Sequence, residues 1–288
     1  MKKMPWTYRI MLLIVLLSAT LTVCMGDNSM YVDPTIGNVS RLLVPTYPTY
    51  HLPNQMIRMF PISKDYIDDQ VTAFPFQVIC HRDAGIMRLR VAVGELSTDT
   101  WKQRMTYDHD LETRHPWLYS TLLDELDVRV SYAPGEKCAI YKIGFPDADQ
   151  KHLLIKGARP LEIKAISTHA FSLEEPFKYT TRGIDRVTRV MAIYCYAELV
   201  DAKGRPVETA RIETRSKRLS ISLGKDAPST VQLKYAISYI SHEQDKRNFD
   251  AELASREFEK LQRKGKKAWD PVTDQIDVTG GTKAQKRI

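Results

Sequence analysis

YDHDLETRHPWLYSTLLDELDVRVSYAPGEKCAIYKIGFP, residues 107–146, is the stretch that decides the fold. Within it, Val128–Tyr132 alternates apolar and polar residues with a period of two, which is typical of a strand with one buried face. Residues 133–136 (APGE) then have turn chemistry, and Cys138–Phe145 returns as a second strand rich in β-branched and aromatic residues. Tyr119–Leu123 is a third short apolar run, so the stretch predicts a three-strand meander. Because its buried face needs a second layer, it also predicts an antiparallel β-sandwich.

The rest of the chain continues this pattern of short strands and frequent turns. Further strands are predicted at residues 74–82, 89–93, 153–155, 161–166, 187–199, 219–223 and 231–241. No period of 20 to 50 residues repeats, which disfavours a propeller or a solenoid. Many short strands with regular turn signals favour a sandwich.

Helical periodicity replaces the strand pattern after His242. Residues 243–267 lack proline, and their apolar positions recur at helical spacing among Lys, Arg and Glu, which predicts one or two amphipathic helices. These positions are Phe249, Leu253, Phe258 and Leu261. We expect residues 269–271 (WDP) to end the helices, 276–278 to be extended, and 283–288 to begin another helix.

The N-terminus indicates export. Lys2 and Lys3 precede an apolar run from Ile10 to Val23, and the sequence then turns polar, so residues 1–26 read as a signal peptide. The run is shorter than the ~20 residues of a membrane-spanning helix. Residues 21–24 (LTVC) resemble a lipobox, which leaves two alternatives open: a lipid anchor at Cys24 or ordinary cleavage near residue 26. In either case we expect a bacterial periplasmic, outer-membrane or cell-surface protein.

Composition is that of a globular protein. The chain has 288 residues, 43% of them hydrophobic and 27% charged, enough for one large or two small domains. Its net charge of +7 is scattered, with the densest clusters at Arg211–Arg218 and Lys260–Lys267. Without interleaved aromatic residues on one face, these clusters indicate solvated surfaces rather than nucleic-acid binding.

The cysteines after the signal segment are Cys80, Cys138 and Cys195, which have no CxxC spacing. Metal binding and a disulfide framework are therefore disfavoured, and buried free thiols are expected. One disulfide with a leftover thiol stays open as an alternative.

An ordered set of motifs resembles the N-terminal β-domain of glycoside hydrolase family 92. The set comprises Val32-Asp33-Pro34 with Ile36-Gly37, the turn Pro53-Asn54-Gln55-Met56, His81, Tyr107 with His109 and Glu112, Ser238–Ser241, Asn248 with Glu252, Trp269, and Ile276–Arg287. No single motif is specific, but their order is. Residues 38–43 and 80–83 depart from the family's Gly/His-rich and Ser-His-x-His segments, which leaves the sugar specificity open.

The resemblance implies a function as well as a fold. Family 92 consists of calcium-dependent exo-acting α-mannosidases in which a galactose-mutarotase-like supersandwich leads through a helical linker into an (α/α)6 barrel. After the signal segment at 1–26, the resemblance implies a sandwich at 27–242, a linker at 243–270 and the start of the catalytic domain at 271–288. The catalytic acid and base and most calcium ligands would lie in the barrel, so we expect no catalytic residue, no bound metal and no activity from this chain alone. Its expected partners are a mannose-containing glycan and the barrel. We also expect apolar surface around Phe249, Phe258 and Trp269 to be exposed for that barrel.

Four residues are candidates for substrate binding. His81 and Arg82 end a predicted strand, and together they offer donors that orient sugar hydroxyls. A partly buried structural histidine is the open alternative. Asn54 and Gln55 present planar amides that suit a sugar, or an amide that closes its own turn.

Other polar and aromatic residues favour structural interpretations. Glycoside hydrolysis needs two carboxyl groups at a defined separation, but Asp68-Asp69, Glu112 and Asp124-Glu125 show no paired spacing and are interpreted as solvated turn residues. Trp101, Trp117 and Tyr119 would form a sugar-stacking platform, although core or interface positions are favoured. A stand-alone carbohydrate-binding module that uses this aromatic patch is the second hypothesis.

Overall fold

The computed structural model describes residues 27–39, 46–64, 67–79, 85–180, 187–208, 211–254, 257–276 and 278–287, without the side chain of Tyr179. These residues form β-strands followed by two α-helices. The strands are β1 (Tyr50–His51), β2 (Arg58–Met59), β3 (Ile62–Ser63), β4 (Gln70–Gln77), β5 (Ile86–Val93), β6 (Met105–Thr106), β7 (Thr113–His115), β8 (Leu118–Leu123), β9 (Val128–Pro134), β10 (Cys138–Gly144), β11 (Lys151–Lys156), β12 (Glu162–Ala165), β13 (Ala170–Thr180), β14 (Thr188–Asp201), β15 (Arg211–Arg215), β16 (Arg218–Leu223) and β17 (Thr230–Ser238). The helices are α1 (His242–Glu252) and α2 (Phe258–Thr273).

Two large antiparallel sheets make up the molecule. One has eight strands in the order β12-β13-β14-β17-β10-β9-β8-β7, and the other runs β15-β16-β11-β5-β4-β3 with β6 also paired to β4. β1 and β2 form a separate pair. The predicted meander is confirmed, because β8, β9 and β10 are neighbours and Tyr132 lies opposite both Tyr119 and Tyr141.

The core lies between the two large sheets. Val128, Val130 and Tyr132 are fully buried there, as the period-two pattern predicts. Tyr141 and Tyr235 cross the sandwich, because their hydroxyls donate to the carbonyls of Pro75 and Phe76 on β4, each at 2.7 Å. A buried tyrosine needs such a partner for its hydroxyl. The β-sandwich is therefore held by apolar packing and by hydrogen bonds that link its layers.

The helices cover the outer face of the eight-stranded sheet. Alternate residues of β10 face opposite ways: Ala139 and Tyr141 belong to the core, whereas Cys138 and Ile140 join a second apolar cluster with the helices. Phe249 and Phe258 are only 2% and 4% exposed in that cluster. The expectation that they are exposed is wrong, because this face of the sheet is itself apolar and needs the helices as its cover.

The C-terminal boundary also differs from the expectation. α2 continues through Pro271 to Thr273 rather than ending at 269–271. Thr273 Oγ1 lies 3.2 Å from the carbonyls of both Trp269 and Asp270, so its single hydroxyl hydrogen is shared between two carbonyls of the last turn. Residues 283–286 form a single turn. In the part of the chain described here, no helix is both long and apolar enough to cross a membrane.

Candidate functional site

The Asn54–Gln55 pair lies on an exposed turn between β1 and β2. Asn54 has a φ of +55°, a left-handed conformation that asparagine adopts more readily than most residues. The backbone closes the turn, since the N–H of Gln55 donates to the carbonyl of Leu52 at 3.4 Å. Neither side-chain amide bonds to a described residue, so the interpretation that an amide closes its own turn is not supported. Both amides face solvent.

His81 and Arg82 lie outside the described residues, but the chain on their N-terminal side is placed. The N–H of Val78 donates to the carbonyl of Arg58 at 3.1 Å, and Arg58 Nη2 donates to the carbonyl of Ile79 at 3.3 Å. The residues that follow the C-terminal end of β4 therefore lie beside β2.

The side chain of Gln77 connects these two segments. Its Nε2 donates to the carbonyl of Met56 at 2.8 Å and to the hydroxyl of Tyr239 at 2.9 Å, and its Oε1 accepts from the N–H of Arg58 at 3.0 Å. We name the surface around it the Gln77 rim, defined by Asn54, Gln55, Arg58, Gln77 and Tyr239. The structure thus brings the Asn54–Gln55 turn close to the segment that leads to His81 and Arg82.

Sequence reasoning missed Arg58, Gln77 and Tyr239. For Gln77 a signal existed, because it is the single polar residue in Phe74–Val78 and it is 2% exposed. A buried amide must find hydrogen-bond partners, and in a strand it finds them on neighbouring segments. Arg58 and Tyr239 carry no such signal, since only the tertiary fold brings them to Gln77.

The chemistry of the rim suits a hydroxyl-rich ligand. Burial raises the pKa of Tyr239, so its hydroxyl stays neutral although Gln77 bonds to it. Burial also lowers the pKa of nearby His51, whose Nδ1 lies 2.9 Å from the carbonyl of Leu52. The rim therefore offers the exposed amides of Asn54 and Gln55, the neutral hydroxyl of Tyr239 and the guanidinium of Arg58. Its five defining residues include no carboxylate that would act as acid or base.

Glu112 is a buried structural carboxylate rather than a solvated turn residue. Its Oε1 accepts from the Tyr119 hydroxyl at 2.7 Å, and its Oε2 lies 3.0 Å from His109 Nδ1 and 3.8 Å from Arg114 Nη1. Only 3% of its side chain is exposed. The solvated interpretation is wrong here, because β7 folds this residue onto the core tyrosine.

The remaining carboxylates divide between two environments. Asp68 is held by Arg104 and by the N–H of Lys64; burial alone would raise its pKa, but these hydrogen bonds keep it below the ordinary value. Asp69, Asp124 and Glu125 are exposed, as expected. In the described ranges, no three His, Cys, Asp or Glu side chains group as a metal site.

The aromatic platform, the less favoured interpretation of Trp101, Trp117 and Tyr119, does not form. Tyr119 is fully buried in the core, and Trp117 is 2% exposed beneath α2, where its ring stacks on His115 at 5.0 Å. The core interpretation of these two residues is confirmed. Trp101 lies instead against Arg218 of the other sheet. The expected burial of Cys138 and Cys195 is also confirmed, and Cys195 is a free thiol, whereas Cys80 lies outside the described residues.

The chain is similar to proteins of one family. Residues 31–242 match the model of the glycosyl hydrolase family 92 N-terminal domain. Among solved structures, a family GH92 inverting mannosidase from Bacteroides thetaiotaomicron VPI-5482 aligns with a TM-score of 0.75 at 18% identity, over 90% of this chain and 38% of that chain. A GH92 alpha-mannosidase from Bacteroides thetaiotaomicron aligns with a TM-score of 0.72 at 18% identity, over 91% of this chain and 40% of that chain. The comparison with curated proteins finds no match. The chain therefore spans about two fifths of the solved structures it resembles, and at this identity they show the fold alone.

Proposed function

The chain belongs to glycosyl hydrolase family 92, whose N-terminal domain it carries over residues 31–242, and from this premise we propose that it is the β-domain of an exported exo-α-mannosidase. In this proposal the domain packs against a catalytic (α/α)6 barrel and contributes binding residues to the pocket between them. The complete enzyme releases terminal α-mannose from glycans by a single displacement. The observation that carries the proposal is that, in a family 92 domain, Gln77 near the end of β4 bonds to Met56 and Arg58, which follow the Asn54–Gln55 turn.

The rim supplies binding groups without hydrolytic groups. An inverting glycosidase needs a protonated carboxyl and a second carboxylate that activates water, about 6.5–9.5 Å apart. The defining rim residues provide neither, and Glu112 is fully engaged by Tyr119, His109 and Arg114. We therefore place the acid and base in the barrel, and we assign to the rim the orientation of sugar hydroxyls.

An exposed apolar surface near the two ends of the described chain indicates a contact site for a neighbouring domain. Met30, Ile276 and Val278 are 46%, 68% and 47% exposed. They lie where the two ends of the described chain meet, since Asn28 Nδ2 donates to the carbonyl of Ile276 and Ser29 Oγ donates to Asp270 Oδ1 at 2.8 Å. Clustered exposed apolar residues commonly mark a contact surface. We propose that the barrel covers this surface, in place of the buried Phe249 and Phe258.

Calcium belongs, in this proposal, to the complete enzyme. A calcium ion takes six to eight oxygen ligands, and in the part of the chain described here no group of three candidate side chains converges. No step in this chain is routed through the ion. Export and a lipid at Cys24 remain predictions, because residues 1–26 lie outside the described ranges.

The proposal predicts a binding defect from changes at the exposed turn. In a longer version that includes the catalytic domain, the double substitution Asn54→Ala with Gln55→Ala should raise KM for an aryl α-mannoside roughly tenfold, because one or two hydrogen bonds of about 1 kcal/mol are lost. The kcat should change little. His81→Ala in the same protein should act in the same direction.

A matched control is Gln150→Ala, which truncates an exposed amide elsewhere on the molecule. Steady-state kinetics on the three variants separate the possibilities. An unchanged KM in the double variant, with Gln150→Ala also silent, would exclude the rim from the substrate pocket.

A further inference from the structure

A row of four cations crosses the seven-stranded sheet. Strand register places Arg88 opposite Lys156, Lys156 opposite Arg218, and Arg218 opposite Arg215, on the adjacent strands β5, β11, β16 and β15. None of the four makes a salt bridge to a described carboxylate. Like charges directly opposite one another destabilise a sheet. A bound anion would offset this repulsion.

The row lies on the outer face of the sandwich. Leu219 and Ile221 of β16 point into the core, so Arg218 and Ser220, which alternate with them, point outward. Lys156 lies among these positive charges: burial lowers its pKa, and Arg218, Arg88, Arg90 and Lys217 lower it further.

A pocket of about 250 Å³ adjoins one end of this row. The loop before β6 forms one wall with Ser97, Thr98 and Trp101, and the sheet forms the other with Glu213, Arg215, Arg218 and Ser220. The guanidinium of Arg218 stacks on the Trp101 ring at 5.0 Å, which fixes both side chains on the pocket wall. The pocket therefore combines an aromatic surface, hydroxyl groups and two cations.

A buried arginine anchors this loop wall. Arg90, 5% exposed on β5, donates through Nη2 to the carbonyls of Thr100 and Gln103 and through Nη1 to that of Thr72. Three carbonyls hold the guanidinium, no carboxylate among the described residues pairs with it, and burial lowers its pKa to about 10. These hydrogen bonds hold the loop that carries Trp101 against the sheet.

We propose that this pocket binds a saccharide that carries an anionic group, with Arg215 and Arg218 on the anion and Trp101 against the ring. The Thr98 and Ser220 hydroxyls line the same pocket and can bond sugar hydroxyls. Glu213 on the pocket wall forms an ion pair with Arg211, whose Nη2 lies 2.5 Å from Glu213 Oε1, so part of its negative charge is balanced. The pocket and the helices lie on opposite outer faces of the sandwich, and this inference does not rest on the proposed mannosidase function.

A titration of the purified chain at fixed ionic strength tests the proposal. NMR chemical shifts would be followed with mannose 6-phosphate, mannose 6-sulfate, glucuronic acid, mannose and inorganic phosphate. At least one anionic sugar should bind about tenfold more tightly than both mannose and phosphate, and the three anionic arms identify which group is recognised. Binding of phosphate as tight as that of the sugar phosphate, or no binding in any arm, would overturn the proposal.

Substitutions locate the site. Arg215→Gln and Trp101→Leu should each weaken the anionic sugar about tenfold, whereas Arg129→Gln, an exposed strand arginine on the opposite sheet, should leave its affinity unchanged. Because Arg215→Gln removes one of the facing like charges, its melting temperature without ligand should equal or exceed that of the parent chain. Parent-like affinity in either pocket variant would place the binding elsewhere.

Discussion

The Tyr119 hydroxyl provides the shortest hydrogen bond to the buried carboxylate of Glu112. It donates to Glu112 Oε1 at 2.7 Å within the fully buried core. Tyr119→Phe should lower the free energy of unfolding by about 1.5–3 kcal/mol, because it leaves a buried charged acceptor without its shortest hydrogen bond. Urea denaturation measures the change. Tyr47→Phe, which removes a hydroxyl with no bonded partner among the described residues, should stay within about 0.5 kcal/mol.

Asp245 makes stability depend on pH. It is 1% exposed at the start of α1, its Oδ2 lies 3.0 Å from His242 Nδ1, and its Oδ1 has no hydrogen-bond partner among the described residues. Burial raises its pKa from 3.8 to about 6, although His242 and Lys246 act in the opposite direction. The folded chain therefore binds more protons than the unfolded chain between these values, and the stability from the neutral carboxyl is lost as pH rises through about 6.

Asp245→Asn should mimic the neutral carboxyl. The variant should be more stable than the parent at pH 8, by about 1–3 kcal/mol for a buried unsatisfied charge, and the difference should close as pH falls to about 4. Unfolding in urea at pH 8, 6 and 4 measures this, with Asp226→Asn as an exposed control. A difference that stays constant from pH 8 to pH 4 would show that this carboxyl does not titrate as described.

At the residue scale, sequence could reveal Gln77 but not Asp245. A single amide inside the apolar run Phe74–Val78 is visible as an exception, whereas Asp245 reads like any acidic residue in the first turn of a helix. Its burial follows from the way α1 packs on the sheet. The same holds for Glu112, whose burial depends on the pairing of β7 with β8.

At the scale of elements, α2 approaches the sandwich closely through Gly265. A Cβ added there would lie 2.9 Å from Trp117 Cβ and 3.1 Å from Leu52 Cδ2. Gly265→Ala gains about 1 kcal/mol of helix propensity but overpacks the contact by about 1–3 kcal/mol, so the expected net loss of stability is about 1 kcal/mol.

Denaturant unfolding checks this, with Lys267→Ala as the control at an exposed position of the same helix. The control should be neutral or slightly stabilising. If Gly265→Ala were stabilising by the full propensity gain, α2 would not lie as close to Trp117 as the structure places it.

Elements with a clear period were predictable, and elements with mixed signals were not. The meander and both helices follow from local patterning. The sequence does not predict β13, because Glu174-Glu175-Pro176 interrupts its apolar pattern. The strand tolerates Pro176 because β12 pairs only with residues 171–174, so that side of β13 is unpaired at the proline. β15 reads as a basic cluster, and only its pairing with β16 makes it a strand.

At the scale of the whole molecule, the partners of each face could not be read from sequence. The apolar side chains of the amphipathic helices were expected to be exposed for contact with the barrel. Phe249 and Phe258 instead pack on the eight-stranded sheet of their own chain. The net charge of +7 likewise looked scattered, because Arg88, Lys156, Arg215 and Arg218 lie far apart in sequence and meet only through strand register. Long-range register and layer packing are tertiary properties that local patterns do not encode.

The central claim of the proposed function is that this chain binds substrate and supports the catalytic domain but does not itself cleave. Its most direct test is hydrolysis of an aryl α-mannoside with calcium present, by the 288-residue chain and by a longer version that includes the catalytic domain. The account predicts hydrolysis by the longer version and none by the chain alone. Hydrolysis by the chain alone would contradict it and would require an acid and a base among carboxylates that are assigned here to structural or solvated roles.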